Sequence, residues 1–418
     1  MIDFIKNKTH RLLRWSEKYT KTDMVYLAQG GFWLNLATTI GSFSSLALVY
    51  VFGNYLSPEV YGNYRYILSV YGLLTIVTLT GFNAAVTRSV AKDNEGDIIK
   101  GLKIQILSSL LGSLMAFTAS IYYWLNGNAT LSIGLLIIGL VLPLMEPLDM
   151  YNSLLNGRKL FKISSLVSIF VQVLVTIILI TVVLLGGSIV PLLLAYFISY
   201  TALRLFFFIV IKKAYQKNDQ TSPDLMKNGF NFSVINILSN ISGQIDKIIL
   251  FQLVGAKELA MFSFAIAPAE QLKGLFKNLS SLMLPKFSTR NEKELRENLN
   301  KKVLVVGATA LLISLAYIIS APLLIKIFLP KYTDITLMSQ IFSLSLIGVM
   351  VIPINSAMNS IPKMKALYVS NILSPVVNIL MVLTLIPLFG LWGAILARAF
   401  GRIINIIGTY LVFEFVKD

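Results

Sequence analysis

Residues Asn378–Arg402 read NILMVLTLIPLFGLWGAILARAFGR. One apolar helix ends here, a tight break follows at Ile386-Pro387-Leu388-Phe389-Gly390, and a second apolar helix begins. Proline cannot continue the backbone ladder and glycine tolerates the angles of a reversal, which is why the break falls at this point. The second helix carries Arg398 and Arg402, four residues apart and therefore on one face. A membrane span tolerates arginine only where the charge meets protein or a wet cavity. The stretch therefore requires a chain that builds such a cavity, and something to occupy it.

The composition agrees with that setting. The chain has 418 residues, of which 56% are hydrophobic and 13% charged, and its mean hydropathy is +0.74. These values are too apolar for a water-soluble protein. The net charge of +16 would suggest nucleic acid in a soluble chain; here it reads as loop topology and attraction to anionic lipid. With no cysteine there is no disulfide or thiolate chemistry, and the single histidine, His10, lies in the basic N-terminal segment. Histidine-based catalysis within the membrane is therefore not expected, and the chain reads as a non-enzyme. No cleavable signal peptide is expected, because Lys6, Lys8, Arg11, Arg14, Lys18 and Lys21 precede the first long apolar run.

Apolar segments of about 20 residues recur along the chain. They fall near 30–52, 66–90, 102–125, 130–154, 163–185 and 189–211, then near 230–253, 259–284, 303–328, 336–360, 366–388 and 392–413. Alternate loops hold nearly all the cations, among them Lys92, Lys100 and Lys103, then Arg158, Lys159 and Lys162, then Lys212, Lys213 and Lys217. The opposite loops, such as Asn126-Gly127-Asn128, are short and nearly neutral. The positive-inside rule then puts both termini in the cytosol. The expected fold is an all-α polytopic membrane protein of about twelve transmembrane helices. They would form two six-helix lobes around a central cavity: a basic segment over 1–29, a first lobe over 30–211, a linker over 212–229 and a second lobe over 230–418.

Weak internal similarity supports the two lobes. Phe52–Tyr64, FGNYLSPEVYGNY, follows the first span, and Phe251–Phe262, FQLVGAKELAMF, follows the seventh. Aligning Glu59 with Glu258 also pairs Gly30 with Gly229. The repeats run parallel, and a site between such lobes is the ordinary expectation. No loop is long enough to form a domain, and no GxxxxGK[ST] phosphate loop supports ATP-driven transport.

Four short motifs together resemble the polysaccharide and O-antigen flippases of the multidrug/oligosaccharidyl-lipid/polysaccharide exporter superfamily. They are Leu56–Tyr64 (LSPEVYGNY), Gly81–Ala91 (GFNAAVTRSVA), Leu284-Pro285-Lys286-Phe287-Ser288, and Asn378…Ile386-Pro387…Gly390-Leu391-Trp392-Gly393-Ala394…Ala397. The resemblance implies two six-helix lobes that open alternately to either side of a bacterial cytoplasmic membrane. It implies a cargo too: an oligosaccharide on undecaprenyl pyrophosphate, moved from the cytosolic to the outer leaflet for O-antigen, capsule or exopolysaccharide. A polysaccharide polymerase and chain-length machinery would be its protein partners. The alternative within the superfamily is a cation-coupled multidrug antiporter. The span over 30–52 contains no charged residue, and the strongest charges inside the membrane are basic, which favours anionic cargo.

A pyrophosphate-linked sugar needs cations along its path, since its charge cannot cross hydrocarbon unaided. Arg398 lies about 9 Å and Arg402 about 15 Å into the last span, with Asn405 continuing the face. These arginines either contact cargo or pair with acids. Glu270, Lys273 and Lys277 follow Pro268 in the eighth span, and the lysines either capture the headgroup or snorkel to the interface. In the seventh span Asn236 and Asn240 suit sugar hydroxyls or serve as interhelical glue. The adjacent Asp246 and Lys247 read as a local ion pair near the outer surface. Arg65 is a candidate gate residue. Glu146 and Asp149, between Pro143 and Pro147, could take a coupling proton or sodium ion, or neutralise the arginines. Arg204 is read as positive-inside placement. No organic cofactor or resident metal is expected.

Overall fold

The computed structural model describes residues 24–276, 292–360 and 364–415. Every regular element among them is helical. In chain order they are α1 (Met24–Tyr55), α2 (Pro58–Leu74), α3 (Gly81–Val90), α4 (Asp97–Leu125), α5 (Ala129–Met145), α6 (Met150–Gly157), α7 (Phe161–Leu184) and α8 (Ile189–Tyr215). Then come α9 (Leu225–Leu253), α10 (Ala256–Gly274), α11 (Glu292–Phe328), α12 (Thr336–Ser343), α13 (Val351–Ser360) and α14 (Met364–Phe415). Nine stretches among the described residues are long and apolar enough to cross a membrane. The last of these, Tyr368–Phe415, runs 48 residues and folds back on itself, so it crosses twice. Two further passes come from α2–α3 and from α10, which gives twelve. Leu107, Leu111 and Leu114 project from α4 into the surroundings. So large an exposed apolar surface belongs against lipid.

Three breaks shape the bundle. In α14 the reversal centres on Gly390, at φ 55° and ψ −127°, a conformation in which a Cβ would collide with the backbone. The second pass is interrupted between α2 and α3, where Leu79 takes φ 54°. Backbone freed inside a membrane must find partners. Thr75 and Thr78 hydroxyls donate to carbonyls three residues back, and Gln105 Nε2 donates to the Leu79 carbonyl at 3.2 Å. The expected span 66–90 is thus two helices, beginning at Pro58. The fourth pass breaks at Pro143 and Pro147, where a single 3-10 turn joins α5 to α6.

Packing repeats between the halves: α1 lies along α7 as α9 lies along α14, and α4 packs on α5 as α11 packs on the 330–360 segment. The halves meet where α2 and α3 run along α9 and α10. A Cβ on Gly62 would lie 1.9 Å from the Ala256 carbonyl oxygen, and one on Gly81 would lie 2.1 Å from the Ser233 nitrogen. Only glycine permits so close a seam. Residues 216–224 connect the halves, since α8 runs to Tyr215 and α9 starts at Leu225. This connection lies on the first half: Glu95 accepts from Arg158 and from the Lys217 and Asn218 backbone N–H groups, and Gly96 N–H donates to the Gln220 carbonyl at 2.8 Å.

Candidate functional site

Two cavities share a wall at the junction of the halves. The first, about 390 Å³, lies between α1, α2, α7 and α8 on one side and α9, α10 and α14 on the other. The end at which α1 finishes is closed by aromatic rings. Tyr61 stacks on Phe264 with centroids 4.3 Å apart, Tyr332 packs on the same ring at 4.6 Å, and Phe52 meets both Tyr61 and Tyr64. A polar strap crosses the same end: Asn54 Nδ2 donates to the Phe328 carbonyl at 2.8 Å, and Lys331 Nζ donates to the Asn54 carbonyl at 2.6 Å. The second cavity, about 370 Å³, lies within the second half between α9, α10 and α14. Glu270 and Arg398 line both.

Arg398 and Arg402 do share a face, and they share a carboxylate. Arg398 Nε lies 2.5 Å from Asp246 Oδ2, and its Nη1 lies 3.3 Å from Glu270 Oε1. Arg402 Nη2 donates to the same Glu270 oxygen, and its Nη1 donates to Ser345 Oγ at 2.9 Å. The guanidinium of Arg402 rests 5.0 Å from the Phe342 ring and that of Arg398 5.8 Å from Phe262. Each thus has a carboxylate and an aromatic face, and each keeps an edge on a cavity, with 14% and 18% of the side chain exposed. Asp246, by contrast, is wholly buried. It does not form the local ion pair with Lys247 that adjacency in sequence suggested: its Oδ2 crosses to Arg398, and its Oδ1 accepts the Lys247 backbone N–H, at 2.9 Å. Lys247 Nζ turns instead to the Gly243 carbonyl and Gln244 Oε1, both at 2.9 Å.

The remaining candidates divide. Lys273 and Asn405 line the second cavity. Arg65 lines the first and donates from Nε to Ser263 Oγ at 3.3 Å. Asn236 and Asn240 line neither; from α9 the second cavity receives Ser239, Ser242 and Gly243. Lys277 lies outside the described residues, as does the Leu284–Ser288 motif. Glu146 and Asp149 pair with neither Arg398 nor Arg402. They hold Arg204, at 3.3 and 3.7 Å, while Tyr71 donates to Glu146 and Asn152 to Asp149. Arg204 is therefore the ionic centre of the first half and not a boundary charge. Its position eight residues before Lys212, about 12 Å deeper along the helix, was the signal in the sequence. The first cavity also takes Lys247, together with Gln172, Tyr196 and Tyr200, which periodicity in α7 and α8 did not single out.

The sequence profile of the family described as polysaccharide biosynthesis protein matches residues 27–289, more than half of the chain. The chain belongs to the polysaccharide biosynthesis protein family. No curated protein sequence matches it. Among solved structures, a lipid II flippase MurJ in an inward closed conformation superposes with a TM-score of 0.69 at 17% identity, covering 93% of this chain and 87% of that one. An outward-facing multidrug resistance MATE transporter of the MOP superfamily gives 0.61 at 16% identity, covering 92% and 94%. A MOP superfamily transporter from Pyrococcus furiosus, described by the reverse polarity of its binding pocket, gives 0.62 at 14% identity, covering 93% and 96%. At these identities the likeness establishes the fold. This member of the polysaccharide biosynthesis family is a multi-pass membrane protein whose fold is similar to that of these solved structures.

Proposed function

We propose that the protein is a flippase for oligosaccharides linked to polyprenyl pyrophosphate. It carries them from the cytosolic to the outer leaflet of a bacterial cytoplasmic membrane, by alternating access, to supply O-antigen, capsule or exopolysaccharide assembly. Both termini lie in the cytosol, so the aromatic closure at Tyr61, Phe264 and Tyr332 is external. The observation that carries this reading is the shared carboxylate of Glu270. It stands between two arginines on the wall of both cavities, where an anionic headgroup would stand. A pyrophosphate entering from the cytosolic side competes with Glu270 for Arg402 and meets Lys273, which has no carboxylate within ion-pair distance among the described residues. Charge-assisted bonds to guanidinium suit phosphate oxygens.

The excess of positive charge disfavours an organic cation as cargo. Deletion followed by analysis of lipid-linked intermediates tests the reading. Accumulation of one undecaprenyl-pyrophosphate oligosaccharide on the cytosolic face is expected. Unchanged intermediates together with altered drug sensitivity would make the protein a cation-coupled antiporter instead.

A further inference from the structure

Charge balance around the two cavities does not close on a pyrophosphate alone. Five cations, Arg65, Lys247, Lys273, Arg398 and Arg402, face or flank them, against the two carboxylates Asp246 and Glu270. Three positive charges remain, whereas a pyrophosphate diester brings one negative charge on each phosphorus. The excess is also in a definite place. Asp246, Glu270, Arg398 and Arg402 pair among themselves, and Arg204 has Glu146 and Asp149. Arg65 and Lys247 line the first cavity with no carboxylate within 4.0 Å among the described residues.

These two cations are built in, not snorkelling. Lys247 is 8% exposed, and its ammonium is pinned by two neutral oxygens. Arg65 is held by the Ser263 hydroxyl. Both stand about 10 Å inside the closed end, Arg65 seven residues past Pro58 and Lys247 six before Leu253. Two like charges facing one chamber at that depth cost several kcal/mol unless an anion joins them. The rest of that chamber is suited to sugar: Tyr196 and Tyr200 line it with partly exposed rings, and Gln172, which accepts from the Tyr200 hydroxyl at 3.2 Å, keeps an amide NH2 to donate.

We infer that Arg65 and Lys247 form a second anion subsite, which takes an acidic group on the glycan of the cargo. That group is a carboxylate, as on a uronic acid, or a phosphate ester. The pyrophosphate end then lies towards Arg402 and Lys273, and the glycan enters the first cavity. This inference rests on the flippase reading above and adds the chemistry of the sugar to it.

The test is binding to the purified full chain of three probes: undecaprenyl pyrophosphate, an undecaprenyl-pyrophosphate disaccharide of neutral sugars, and the same disaccharide ending in a hexuronic acid. The acidic glycolipid is expected to bind about tenfold more tightly than the neutral one, the gain of one charge-assisted contact in a sheltered site. Arg65→Gln and Lys247→Met should each bring that ratio close to one, and Arg65→Lys should restore much of it. A ratio is unaffected by a loss of folded protein. A phosphorylated disaccharide as fourth probe separates the two oxyanions: preference for either one supports the subsite. Equal binding of neutral and acidic glycolipids by the wild type, or a ratio unchanged in both variants, overturns the subsite while the flippase reading stands. If none of the probes binds, the flippase reading falls and this inference with it.

Discussion

Arg402 has one carboxylate partner among the described residues and shares it with Arg398, so Glu270 decides how both arginines are spent. If Glu270 holds the place of an anionic headgroup, Glu270→Gln removes an internal competitor. The variant should bind undecaprenyl pyrophosphate more tightly than wild type while its thermal midpoint falls, because Arg402 loses its counter-ion and Arg398 keeps only Asp246. Weaker binding would mean that the carboxylate itself orients the cargo site. Arg402→Ala should lower transport at least tenfold, and Arg402→Lys should restore only part of it, since an ammonium cannot present two parallel donors. Asp246→Asn acts on stability more than on cargo. Asp246 is fully buried, and its loss leaves Arg398 only the longer contact to Glu270, which Arg402 shares; breaking such a pair costs at most about 3–5 kcal/mol. Thermal unfolding in detergent checks this, with Arg398→Met in the same background expected to recover much of the loss.

Among the elements, the hairpin in α14 and the connection between the halves make opposite demands on the chain. Gly390 needs φ 55°, so Gly390→Ala should cost about 1–2 kcal/mol and reduce the yield of folded protein without altering the cargo preference of what remains. The connection is clamped by Glu95. Burial raises the pKa of this carboxyl, but hydrogen bonds from the Lys217 N–H, the Arg158 guanidinium and the Asn218 N–H outweigh burial and hold it below the usual 4.5. A carboxyl depressed in the folded state adds stability that is complete above the unfolded value. That stability is lost as pH falls through the lower folded value. The clamp should therefore be intact at neutral pH and loosen only below about pH 4.5. Hydrogen exchange over residues 216–224, corrected for its intrinsic pH dependence, should show this. Glu95→Gln at pH 7 should exchange as fast as acidified wild type.

What the sequence disclosed about these elements follows from the range of the interactions involved. Hydropathy fixes span length locally, and Pro387 with Gly390 marks the reversal locally, so the twelve passes and the hairpin are legible. The break between α2 and α3 is not, because the group that satisfies it is Gln105, 26 residues from Leu79. Helical periodicity places Asn236, Asn240 and Gly243 together but cannot tell which side of α9 faces a cavity. Nor can it show that Arg204, Glu146 and Asp149 meet, since their partnership exists only once α8 packs on the fourth pass.

For the molecule as a whole, the seam and the strap define what must move. The glycines along α2 and α3 keep the halves in contact at one side, while Asn54, Phe328 and Lys331 tie the closed end. Alternating access requires that end to open. The chain has no cysteine of its own, so Asn54→Cys with Lys331→Cys introduces a single clean pair. Oxidation should stop transport and reduction should restore it; full transport in the oxidised state would place the moving end elsewhere.

The most direct measurement is translocation by the purified protein in proteoliposomes of an undecaprenyl-pyrophosphate oligosaccharide ending in a uronic acid, read by access of a membrane-impermeant sugar-modifying reagent from one side. Protein-dependent exposure of the glycolipid in the opposite leaflet, lost in Arg402→Ala, is expected. A rate equal to that of protein-free liposomes, in vesicles where the same protein exports organic cations, would contradict a lipid-linked oligosaccharide as the cargo.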